Sequence, residues 1–120
     1  MRSSPSRRDA AAVVDSGLRG RVTSIDWTAI AAALDAQGCA VVQGLLTAAD
    51  CAALVARYDD DREFRSRVVM ARHGFGRGEY KYFADPLPDP VAALRASLYP
   101  PLAAIADAWN GALGIDRRYP

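Results

Sequence analysis

Apolar positions recur at helical spacing through "SIDWTAIAAALDAQG", where Trp27, Ile30, Ala31 and Leu34 fall on one face. Ser24 or Asp26 can cap the start, and Gly38 suits a left-handed stop, so an amphipathic helix is predicted. The next run, "CAVVQGLL", is short, β-branched at its centre and bounded by glycines, which predicts a buried strand of a few residues. A second helix should follow at once. Thr47 is placed as its N-cap, Asp50 as the acid that favours the helix dipole, and Leu46 can staple onto Cys51. Leu54, Val55 and Tyr58 continue an apolar face, and Asp59-Asp60-Asp61 reads as a solvated exit. Adjacent carboxylates on an extended chain point in different directions, so that cluster does not read as a hard-cation loop.

Alternation takes over in the middle of the chain. Phe64 to Ala71 and Glu79 to Phe83 are expected as two strands joined by "RHGFGRG", making a hairpin. In the second strand, Tyr80 and Tyr82 share one face and Glu79, Lys81 and Phe83 the other. The three glycines of the link do not form a dinucleotide loop. Such a loop opens a helix, whereas here another strand-like run follows. Beyond it, Asp89 and Pro90 suit an N-cap and first turn, with Val91, Leu94 and Leu98 on one face. Pro100-Pro101 should kink or restart that helix, because neither can donate an amide bond. A last stripe of Leu102, Ile105, Ala106, Trp109 and Leu113 reads as core packing and ends at Gly114.

Composition sets the scale of this pattern. A chain of 120 residues with 51% hydrophobic content suffices for one modest core, read as a domain over 23–120 behind a flexible arm at 1–22. Fifteen Lys+Arg against fourteen Asp+Glu leave a formal charge of +1, which predicts no nucleic-acid and no membrane partner. Lys81 is the only lysine. The two cysteines, Cys39 and Cys51, are expected as buried apolar thiols in a reduced, cytoplasmic setting. The amino terminus lacks the apolar run of a secretory signal, and no window approaches the ~20 apolar residues of a membrane span.

His73 is the only histidine, which limits the chemistry the chain can perform. A Ser-His-Asp arrangement, a zinc site or a two-histidine iron site would each need partners that are missing, so no catalytic residue and no metal ligand is assigned. As a bare residue His73 reads as a structural or rim side chain. The functional alternative is that His73, Arg77, Tyr80, Lys81 and Tyr82 line the mouth of a substrate pocket, with cations for a carboxylate and phenols as hydrogen-bond donors.

The combination of "GCAVVQGLLTAADCAALVARYDDD", "FRSRVVMARHGFGRGEYKYF" and "PLPDPVAALRASLYPPLAAIADAWNGALG" resembles the amino-terminal part of a bacterial family of Fe(II)- and 2-oxoglutarate-dependent oxygenases, prolyl-hydroxylase-like in type. The resemblance spans about Asp26 to Pro120. It implies an α+β fold whose helices and strands flank a double-stranded β-helix, or jelly-roll, core. It also implies Fe(II) and 2-oxoglutarate as cofactors, and hydroxylation of a C–H bond in a small-molecule or peptidyl substrate. The family's H-x-D pair, distal histidine and late basic residue have no counterpart in these 120 residues. The expectation is therefore an oxygenase fragment, truncated before its metal-binding core and inactive alone. A complete, non-catalytic α/β binding or interaction module is the alternative.

Overall fold

The computed structural model describes residues 6–120, apart from the side chains of 9–16. It is α+β, with four α-helices and one two-stranded antiparallel sheet among the described residues. The chain divides into two compact units, residues 1–45 with 89–120 and residues 46–88.

The first unit is helical. Helix α1 (Arg7–Thr23) packs on α4 (Asp89–Ala112), and Leu18, Val22 and Ala93 are its buried hydrophobic side chains. Leu18 and Val22 stand one turn apart and so share a face. The sequence reading placed a flexible arm over 1–22; the structure instead makes a helix from Arg7, while residues 1–5 of that arm lie outside the described residues. Alanine's helix propensity and the Leu18/Val22 stripe outweigh the arginine and serine content on which the arm was inferred.

Helix α2 (Trp27–Gln37) has the expected limits. Asp26 accepts a hydrogen bond from the Ala29 amide at 3.1 Å, and Gly38, at φ 73°, donates its N–H to the Leu34 carbonyl. Ser24, the other candidate cap, donates its hydroxyl to the Gly20 carbonyl instead. The Trp27 indole N–H is satisfied by the Val22 carbonyl.

Cys39–Leu46 forms no strand, and Val41 is 77% exposed. A strand exists only where a second backbone completes its ladder, and no such partner is present among the described residues. Cys39 and Cys51 are both exposed, which corrects the expectation of buried thiols. Helix α4 continues through Pro100 and Pro101 without a restart. Each proline removes one intrahelical donor yet keeps a helix-compatible φ.

The second unit begins with α3 (Ala48–Ala56), whose capping box is complete: the Thr47 hydroxyl accepts from the Asp50 amide and the Asp50 carboxylate from the Thr47 amide. Val55 is exposed, so it is not part of a packed face as expected. The acidic exit is put to use rather than simply solvated. Asp60 caps a short 3₁₀ turn at Asp61–Glu63 and pairs with Arg62, which holds its carboxyl below the usual range.

Strands β1 (Phe64–Val69) and β2 (Glu79–Phe83) form the hairpin. The register runs from Phe64 opposite Phe83 to Val69 opposite Glu79, with Arg65 as the extra residue of a bulge. The link makes a 3₁₀ turn over Met70–His73, stopped by Gly74 at φ 71°; Gly76 and Gly78 also have positive φ.

Candidate functional site

Alternation along β2 gives the hairpin two unlike faces. Glu79, Lys81 and Phe83 turn inward, and Tyr80 and Tyr82 outward. The polarity departs from a simple hydrophobic count, since the lysine is covered and the two tyrosines are not.

The inner face surrounds Lys81, whose side chain is only 7% exposed. Its Nζ donates to the Tyr58 carbonyl at 2.6 Å and to Asp61 Oδ1 at 3.2 Å. The ammonium stands 4.2 Å from the Tyr58 ring centroid and 5.1 Å from that of Phe64, both within cation–π range. Phe64 also stacks on Phe83 at 4.9 Å and meets Tyr58 edge-on. Beside this cage, Glu79 accepts from the Tyr58 phenol at 2.8 Å and pairs with Arg67. The Tyr58 phenol, then Arg67, hold the Glu79 carboxyl below the usual carboxylate range; the same bond to Glu79 pushes the Tyr58 phenol up. Arg57 chelates Glu63 with bonds of 2.9 and 3.0 Å, tying the end of α3 to the turn that precedes β1. A depression of about 240 Å³ borders this network, lined by Asp61, Phe64, Arg65, Ser66, Arg67 and Lys81.

The outer face is built differently. The Tyr80 and Tyr82 rings meet edge to face with centroids 5.5 Å apart, and the Arg65 guanidinium carbon is 5.4 Å from the Tyr82 centroid. Desolvation, then Tyr82, raises the Tyr80 phenol. Ser66 and Val68 lie opposite Tyr82 and Tyr80 in the register.

Of the five residues predicted to line one pocket mouth, the structure brings together Tyr80 and Tyr82. It places Lys81 on the opposite face, and His73 and Arg77 exposed in the link. Sequence reasoning missed Arg65, Tyr58 and Glu79. The signal for Glu79 was its place on the same strand face as Lys81; Arg65 depends on a bulge that alternation does not reveal. In the helical unit, a cleft of about 680 Å³ is bordered by Arg21, Ser24, Ile25, Ile30, Val42 and Leu45, and holds none of the predicted residues.

Among the described residues, no group of three His, Cys, Asp or Glu side chains is arranged to hold a metal ion. No described helix is long and apolar enough to cross a membrane.

Residues 78–120, from the start of β2 through α4 to Pro120, match the model of the Oxygenase-NA family, described as an oxygenase catalysing oxidative methylation of damaged DNA. The match supports a relationship to oxygenases. No curated protein and no solved structure matches the chain.

Proposed function

We propose that this chain is the amino-terminal part of an Fe(II)- and 2-oxoglutarate-dependent oxygenase, acting on a nucleic-acid base. The observation that carries the oxygenase reading is the family match over residues 78–120, which coincides with part of the longer sequence resemblance. In such enzymes O₂ is the oxidant for C–H hydroxylation; bound ferrous iron would activate it, and 2-oxoglutarate would be the co-substrate oxidised to succinate and CO₂. The residues present do not fit the iron: a single histidine and no three-ligand cluster among the described residues leave no site to assign, so this chain's part is structural and substrate-facing.

The base as substrate follows from the damaged DNA named for the matched family, together with the local distribution of charge. A net charge of +1 argued against nucleic acid, yet that balance conceals segregation: Phe64 to Gly78 contain Arg65, Arg67, Arg72 and Arg77 and no Asp or Glu. A basic stretch flanked by aromatic side chains suits a polyanion that carries flat bases.

The test is to read the coding frames beyond Pro120, express the longest open frame that contains this chain, and follow succinate formation from 2-oxoglutarate. The expected result is an H-x-D-bearing extension that turns over 2-oxoglutarate, while residues 1–120 alone do not. Absence of such an extension in every frame, or an extended protein inert with Fe(II), 2-oxoglutarate and O₂, overturns the reading.

A further inference from the structure

The hairpin leaves three features uncovered, two on its outer face and one on its link. Tyr80 is 43% and Tyr82 47% exposed, with Ser66 and Val68 opposite them in the register. The bulge residue Arg65 lies over one of those rings. Arg72, Phe75 and Arg77 are exposed on the link that joins the two strands.

We infer that this face is a stacking platform for single-stranded nucleic acid, with Tyr80 and Tyr82 receiving bases and Arg65, Arg72 and Arg77 pairing with phosphates. The inference rests on the nucleic-acid reading above and adds the residues that make the contact. An enzyme that acts on a base must have it out of the duplex stack, and the neighbouring bases then need replacement π-faces. Tyr80 and Tyr82, at i and i+2 on one strand face, hold their rings edge to face with centroids 5.5 Å apart, so they offer two π-surfaces at a steep angle to each other rather than a parallel pair. Arg67 lies on the other face, paired with Glu79, so it is not part of the platform. The acid-free stretch from Phe64 to Gly78 supplies charge complementary to phosphate, which an apolar protein partner would not require. Stacking on phenol rings tolerates any base, so selectivity for strand state should exceed selectivity for sequence.

The experiment uses the 120-residue chain and a fluorescein-labelled oligothymidylate of about a dozen nucleotides, with a duplex of equal length as competitor. Anisotropy titrations at several salt concentrations should show the single strand bound more tightly than the duplex. Tyr80→Ala and Tyr82→Ala should each weaken binding about fivefold or more, whereas Tyr80→Phe and Tyr82→Phe should retain it. Arg72→Gln and Arg77→Gln should each reduce the salt slope by about 0.7. On the unaltered chain, the ring-proton resonances of Tyr80 and Tyr82 should move upfield as the oligonucleotide is added, a readout independent of whether the alanine variants fold. The platform is overturned by no binding at low salt, by equal affinity for duplex, or by tyrosine resonances that do not move at saturation. Succinate formation by the extended protein without single-strand binding sinks the platform alone. Single-strand binding without turnover sinks the oxygenase reading alone.

Discussion

Replacing Lys81 with methionine and with alanine separates what its charge contributes from what its stem contributes. Methionine keeps an unbranched side chain against the Tyr58 and Phe64 rings and removes the ammonium. The charge-assisted bond to the Tyr58 carbonyl is worth about 1.5–3 kcal/mol. The cation–π contacts add about 1–2 kcal/mol. The pair with Asp61 adds little, at most about 1 kcal/mol, because that carboxylate is 90% exposed and water replaces its partner. Against these stands the cost of desolvating an ammonium, several kcal/mol, which methionine avoids. The balance places Lys81→Met about 1–2 kcal/mol below the wild type. Alanine loses in addition the packing of three methylenes, about 0.8 kcal/mol each, for a total of about 3–4 kcal/mol. Urea titration combined with amide exchange of the β1–β2 ladder reads these values locally, which matters in a chain of two compact units. Two results refute the reasoning: Lys81→Met as stable as the wild type or more so, or the two variants equally destabilised.

Glu79, like Asp60, contributes acid sensitivity to the same unit. Its folded pKa lies below its unfolded value, so its stabilisation is present above the ordinary glutamate pKa of about 4.3 and is lost as pH falls through the lower folded value. Tyr58→Phe removes the largest cause of that depression and should move the Glu79 titration upward in a carboxyl-detected NMR experiment; an unchanged midpoint contradicts the assignment. Gly78 sits at φ 106° with open space where a Cβ would stand, and its carbonyl accepts from the Met70 amide. The cost of Gly78→Ala is therefore conformational, about 1–2 kcal/mol or more, and should register as faster exchange across the hairpin; unchanged protection argues against strain at this position.

Locally encoded features were legible in the sequence. The caps of α2 at Asp26 and Gly38 and the N-cap of α3 at Thr47 depend on residues three or four positions apart, so spacing reveals them; Asp50, read only as an acid favouring the helix dipole, also closes the capping box. The hairpin was legible because its strands are near neighbours and alternation assigns the faces correctly. What failed depended on distant partners or on weighing composition. "CAVVQGLL" has the composition of a strand, but pairing decides whether it becomes one. The helix from Arg7 was obscured by a polar beginning that its packing on α4 outweighs. At the candidate site, Tyr80 and Tyr82 were read as neighbours and are, whereas Lys81 was grouped with them on chemical type although its own alternation placed it opposite. Nothing in the linear pattern announced that Tyr58 and Phe64 would enclose an ammonium, because that cage needs three segments to converge.

The enclosure of the sole lysine also makes the hairpin unit its own chemical clock. An amine-directed acylating reagent can modify this side chain only when the Tyr58 and Phe64 rings part and Nζ is released from its carbonyl and carboxylate. Because no second lysine competes, the rate at which that one site is labelled in the native protein reports the open population of the hairpin unit when reclosing outpaces acylation, and its opening rate when acylation is faster.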